Sequence, residues 1–327
     1  MGGTNVRLPL PLTRLNPWYP GQFGVLGTAN ETGLRQHSTG TVFYVDPNYP
    51  GVVDRRDGTD PLAPLATIQA AVDKCEPHRG DVILVMDNNA WQYTNQNEAN
   101  QIGIVENVVV DVSGISIIGV GPSNSLGVVW SAVAAGDVAI TVTGCDVLIE
   151  GFAFTDQVIA CNAIFAEWDG TTAWGDNLTI RNCYFGPNVS KSIQLEYSWY
   201  GEIDHCRFDG CDYGVYVDPA GSGIQGYHIH DNWFTQVITA ALALDDSVEA
   251  DIHDNHLYNA TPVGAGASAN LFINTSAGRG NLVHSNAMSC LLPVPANGDY
   301  DDCNSAAPTD AWINNLCLDG PSITNPT

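Results

Sequence analysis

The chain has 327 residues, 44% hydrophobic and only 14% charged, with 33 Gly and 18 Pro. That is a turn-rich composition of an ordered protein, not of a disordered one. Eleven basic residues against 36 acidic give a net charge of −25, which repels phosphate backbones and anionic bilayers and makes nucleic acid and membrane poor partners.

No apolar run approaches the ~20 residues of a membrane-spanning helix. The start, Met1 to Arg7, lacks the charged-then-apolar layout of a secretory signal. Nine cysteines are scattered without a CxxC pair, which fits synthesis in a reducing cytoplasm. Residues 1–41 read as an extended arm, because Pro9, Pro11, Pro17 and Pro20 break helices and central strands. Leu8, Leu10, Leu12, Trp18 and Tyr19 in this arm need cover, supplied either by the chain's own body or by a partner, and they are the candidate docking residues.

Val42 to Asp46 is a short strand pattern, followed by a loop rich in Pro, Asp and Gly as far as Pro64. Ile68, Ala71, Val72 and Cys75 stand at the i, i+3, i+4, i+7 spacing that predicts an amphipathic helix over 66–75. Val82 to Met86 reads as a buried strand.

A repeat then dominates. Its anchors are Ile149, Ile180, Ile203, Ile229, Ile252 and Val283, each followed five residues later by Phe154, Phe185, Phe208, Phe234, Leu257 and Met288. The mean spacing is about 27 residues, one turn of a solenoid. Between anchors lies a second strand, starting at Ile140, Ile164, Ile193, Val215, Leu242 and Leu271, with an earlier copy at Val108. Several short strands per turn, stacked in register at about 4.8 Å, make a parallel β-helix. Asn232, Asn255 and Asn286 share one position in the repeat, where stacked amides can hydrogen-bond along the axis; Cys183 and Cys206 fill it in earlier turns and read as buried structural thiols.

Tyr44-Val45-Asp46, the stretch Gly58 to Gln69 and Gly80 to Val85 resemble the opening of right-handed β-helix proteins of the pectin-lyase-like class. The resemblance spans about residues 42–290. It implies an all-β, right-handed, single-stranded parallel β-helix over 42–290, with the helix near 66–75 capping the open sheet edge. Residues 291–327, with Cys303 and Cys317 and preceded by Cys290, read as a loop tail folding back on the last turn.

Three groups of residues can carry chemistry. At the end of the second strand runs a column: Asp111, Thr143, Glu167, Glu196, Asp218, Asp245, Asn274. Glu167, Glu196, Asp218 and Asp245 are consecutive acids, and like-charge repulsion raises pKa values, as a general acid requires. Neighbours about 5 Å apart match a retaining glycosidase pair, and acids two rungs (~9.6 Å) apart an inverting pair. Trp168, Tyr197, Trp199 and Tyr216 form a candidate glycan platform beside them. The same column also reads as a solvated edge, first of all, and as a subunit contact or a calcium site built from hard oxygen ligands. His228, His230 and His253, with His284, form a second column that could offer imidazoles to zinc. Lyases of the pectin-lyase-like class imply an arginine base with Asp-bound calcium; Arg181 and Arg207 are the nearest counterparts, without a recognisable catalytic motif.

The resemblance, with the arm and the acidity, implies a tailed-bacteriophage virion protein made in the host cytoplasm without a signal peptide. It implies a homotrimeric decoration or spike protein, non-catalytic, contacting other capsid or tail proteins through its arm and needing no cofactor. The alternative is a tailspike-like protein that binds or depolymerises host surface polysaccharide, as a glycoside hydrolase or a polysaccharide lyase, along the acid column.

Overall fold

The computed structural model describes residues 40–86, 103–120, 128–155, 161–168, 170, 175–187, 189–217, 223–244, 246–259, 271–275, 279–290, 303–305 and 310–317. The candidate docking residues Leu8, Leu10, Leu12, Trp18 and Tyr19 lie outside them, as do Asp218 and Asp245. Three parallel sheets run the length of the body, with ten strands in the first, nine in the second and eight in the third among the described residues. They are called A, B and C here, and the chain visits them in that order in each coil: Leu148–Glu150, Phe152–Phe154 and Cys161–Ala166, then back to Thr179–Arg181. The fold is an all-β right-handed parallel β-helix with one short N-terminal helix.

The register follows from which side chains point inward. In sheet A the anchors pair directly, Ile149 with Ile180, Ile180 with Ile203, Ile203 with Ile229, Ile229 with Ile252 and Ile252 with Val283, and all are buried. In sheet B the five-residue offset stacks phenylalanines inside the coil. Phe154–Phe185, Phe185–Phe208 and Phe208–Phe234 have ring centroids 5.2, 4.8 and 4.4 Å apart and nearly parallel planes. A slip of one residue would turn this stack out to solvent, so the stack fixes the pairing.

The turn between sheets A and B is the same in successive coils. Asn182, His205, Asp231, Asp254, Ser285 and Asn314 all have φ between 51° and 57°, a left-handed conformation that short polar residues tolerate better than most. The residue after it points inward. In the later coils this is the asparagine ladder: Nδ2 of Asn232 donates to Oδ1 of Asn255 at 3.1 Å, Asn255 to Asn286 at 3.0 Å and Asn286 to Asn315 at 3.0 Å. In earlier coils Cys183 and Cys206 occupy the position, both buried, and burial pushes the Cys206 thiol far up.

Two expectations change. Leu271 pairs with Ala240, and Ile273 takes the place opposite Leu242; Asn274 therefore stands beside Ala243, not at the end of the acid column. The array also continues past residue 290. Cys303–Ser305, Ala311–Ile313 and Leu316–Cys317 join sheets C, A and B as a further coil, so at least part of 291–327 is rung and not loop. The signal was Asn315, in register with the asparagine ladder; Trp312 at the anchor position hid it.

The capping helix is Ile68–Val72, shorter than the expected 66–75, with Thr67 as N-cap and Ile68, Ala71 and Val72 buried. Asp54 accepts from the backbone N–H of Ala66 and Thr67, and the Glu106 carboxylate from those of Ile68 and Gln69. The Gln69 side chain accepts from Val109 N at 2.8 Å and donates to Val109 O at 3.2 Å. It replaces the missing rung on the edge of sheet C, whose last strand is Val108–Val110, and so closes an edge that would otherwise invite pairing.

Candidate functional site

The corner after sheet C carries the acid column. Val142, Ala166 and Leu195 are in register, so Thr143, Glu167 and Glu196 follow one above another. Glu167 N–H donates to Val142 O and Glu196 N–H to Ala166 O, which extends the ladder to the acids themselves. Burial, then the charge of Glu196, raises the Glu167 pKa. Gln194 Nε2 donates to the Glu196 carboxylate at 2.8 Å.

Beside this pair the Trp168 and Tyr197 rings lie 5.5 Å apart and tilted by 52°. Tyr197 and Tyr200 have φ of 50° and 60°, a region costly for bulky side chains and often seen where a structure holds a residue for a purpose. Ser198 between them turns inward, where its hydroxyl is bonded to Gly175 O and the buried Tyr227 hydroxyl. Trp199 lies further round the turn, its backbone N–H donating to Asp176 Oδ1 at 2.8 Å. Tyr216 is on sheet C, under Lys191 Nζ at 4.2 Å and edge-on to Tyr213. The fold thus joins Glu167, Glu196, Trp168 and Tyr197, with Tyr216 on the next strand beside Gln194, the residue that holds Glu196. Arg181 and Arg207 are not beside these acids either. They fall on strands of sheets A and B, where Arg181 pairs with Asp204 and Arg207 with Asp209.

The second place is the outer face of sheet A. On either side of the inward anchors run two outward columns: Glu150, Arg181, Asp204, His230, His253, His284, and Glu202, His228, Asp251. Arg181 grips Asp204 through both ends of its fork, Nε at 3.2 Å and Nη2 at 2.9 Å, and His205 Nδ1 lies 2.8 Å from the same carboxylate. Glu150 is nearly buried and bonded to Asn182 Nδ2 at 2.9 Å; burial raises its pKa, against the pull of Asn182 and Arg181.

The histidine rings stack, His230 on His253 and His253 on His284, both at 4.9 Å with planes within 11°. Ring nitrogens of a stack lie in parallel planes and do not converge, and here they face carboxylates: His230 meets Asp231 and Glu202, His253 meets Asp254, and Asp251 lies 3.2 Å from His284 and 3.8 Å from His228. Among the described residues no group of three or more His, Cys, Asp or Glu can hold a metal ion. Glu167 and Glu196 alone do not make the six to eight oxygens that calcium takes.

Glu150, Glu202, Asp204 and Asp251 were not singled out from sequence. The signal was there: each sits one residue from an anchor, as His228 and His230 do from Ile229.

The right handed beta helix region family matches residues 139–293. No curated protein matches the chain. Among solved structures, ORF18 of Geobacillus virus E2 is 11% identical with a TM-score of 0.39; the alignment covers 84% of this chain and 62% of that one. The GH136 lacto-N-biosidase from Eubacterium ramulus is 12% identical with a TM-score of 0.24, over 84% of this chain and 68% of that one. The chain therefore spans less than two thirds of the viral protein. Likenesses this distant carry no function from one protein to the other.

Proposed function

We propose that this chain is a structural protein of a tailed-bacteriophage particle, a β-helical decoration or spike protein on the capsid or tail, non-catalytic and docked through residues 1–41. One observation carries the reading: the polar columns are spent on joining coils. The asparagine ladder, the Arg181–Asp204 fork and the contacts of His230 with Glu202 and of Asp251 with His228 and His284 each link one rung to another, which makes a stiff rod. The opening motif's resemblance to pectin-lyase-like virion proteins supports it, as does the acidity. In this reading the protein is a homotrimer that contacts other virion proteins. Deleting residues 1–41 should leave a folded body, with unchanged circular dichroism, that no longer joins particles in a reconstitution assay. An arm-deleted protein that still assembles would refute docking through the arm.

A second reading rests on the corner at Tyr197. Tyr197, held at positive φ against Trp168 and next to Glu196 of the Glu167–Glu196 pair, suits a polysaccharide contact. If the pair also cuts, Glu196→Gln should lower depolymerisation by about two orders of magnitude or more while the protein stays folded. Oligosaccharide binding abolished by Trp168→Ala, with no turnover in wild type, would make the corner a receptor site only.

A further inference from the structure

His230 is placed between two carboxylates that a neutral ring cannot both serve. Its Nδ1 lies 2.9 Å from Asp231 Oδ2, in its own turn, and its Nε2 lies 3.1 Å from Glu202 Oε1, on the preceding coil. A neutral imidazole has one N–H, so it donates to one acid and presents a lone pair to the other; only the imidazolium donates to both. His253 and His284 differ. His253 meets one carboxylate, that of Asp254, and His284 shares its nitrogens between Asp251 and the Ser285 hydroxyl, which can itself donate.

We propose that His230, with Glu202 and Asp231, is a proton-operated clamp between successive coils of the β-helix, closed when the ring is charged and released when it is neutral. The surroundings favour the closed form at moderate pH. Other charged or titratable groups on this face are Asp204, paired with Arg181 and His205, on the preceding coil; His228 on its own strand; and His253, Asp251 and Asp254 on the next. Acids outnumber the fixed cation, Arg181. Burial works against the charged ring, but the bonds to Asp231 and Glu202 and the charge of Asp204 outweigh it and hold the His230 pKa above the ordinary histidine range.

The sign follows from linkage. A histidine whose folded pKa is raised stabilises fully below the unfolded value of about 6.5 and loses that contribution as pH rises through the folded value. Release leaves Glu202 and Asp231 facing a single donor, with Asp204 and Asp251 close by. Carboxylate repulsion on the face is then less compensated, and the coils at 202–204 and 228–230 are the ones that loosen. Acidification tightens the rod there and alkalinisation slackens it.

The test uses the full chain with isotope-labelled histidine, titrated by NMR from about pH 5 to about pH 9, with hydrogen exchange measured in parallel. The resonance that disappears in His230→Gln should titrate above the free-histidine midpoint, and Glu202→Gln should lower that midpoint while the protein stays folded. Amides of 202–204 and 228–230 should exchange several-fold faster above the midpoint, beyond the intrinsic base catalysis, in wild type but not in His230→Gln. A His230 ring that is neutral at about pH 6, or a midpoint unmoved by Glu202→Gln, would overturn the clamp. So would exchange whose pH dependence is the same with and without His230.

Discussion

The turn between sheets A and B is made in two chemistries. Around Cys183 and Cys206 its inward position is a thiol, whose weak contacts run to backbone carbonyls, Cys206 Sγ to Ile180 O at 3.7 Å and to Asp204 O at 3.4 Å. From Asn232 onward it is an amide, with 2.8–3.1 Å bonds to the backbone and to the next amide. The backbone is the same in both, with the preceding residue at φ 53° in His205 and 55° in Asp231. The turn therefore does not need the ladder for its shape. What differs is what sets register: apolar contact and the phenylalanine stack, which ends at Phe234, in the earlier coils, and the amide hydrogen bonds in the later ones.

The difference makes unequal predictions. Asn255→Ala should be the most damaging change. Asn255 Nδ2 donates to Ile229 O and Asn286 Oδ1, and its Oδ1 accepts from both the N–H and the Nδ2 of Asn232. Alanine leaves several of these buried groups unmet, and at about 1–3 kcal/mol for each orphan the loss should reach about 3 kcal/mol or more. Urea denaturation of the purified protein would measure it. Cys206→Ala, at the equivalent site two coils earlier, should cost only about 1 kcal/mol, the scale of one small apolar group removed from a core. If the two changes cost the same, the amides are packing groups and not a hydrogen-bonded ladder.

Cys206→Asn sharpens the comparison further. Cys206 N–H already donates to Asn232 Oδ1 at 2.9 Å, so an asparagine at 206 would extend the ladder by one rung and offer its oxygen to Cys183 N–H. The expected gain is up to about 1 kcal/mol, the net worth of one or two further hydrogen bonds. A loss instead would mean that the thiol coils are narrower than the amide coils at this turn.

Legibility in the sequence followed the same division. Anchors and phenylalanines were readable because an inward residue in a three-residue strand must be large and apolar, and each coil repeats that demand at a fixed offset. The asparagine column was readable because a buried amide has few places where all its bonds are met. The coil through Ala311–Ile313 escaped because tryptophan stood where isoleucine was expected, and Leu271 was placed two residues off because its coil lacks the usual strand ending. The candidate site was only half visible. Glu167, Glu196 and Trp168 announce themselves by residue type, but the sheet A face is spread over six coils and no coil contributes more than two of its residues. Its partnerships, Arg181 with Asp204 and His230 with Glu202, cross coils and exist only once register is known.

The smallest predicted effect tests whether that outer face carries cost as well as support. Glu150 is almost enclosed, and its pKa is raised mainly by burial. A carboxyl whose folded pKa exceeds its unfolded value binds its proton more tightly in the folded state. Ionising it therefore costs stability, a cost absent below the unfolded value of about 4.3 and fully present once pH exceeds the folded value. Glu150→Gln removes the charge and keeps an oxygen to accept from Asn182. Thermal denaturation should show the variant equal to wild type in acid and slightly more stable near neutral pH, by less than about 1 kcal/mol because Arg181 already offsets part of the charge. The opposite result, a loss near neutral pH, would mean that Arg181 needs Glu150 as well as Asp204. The two acids would then hold one cation between them, and the early coils would be joined by charge as firmly as the later ones are joined by amides.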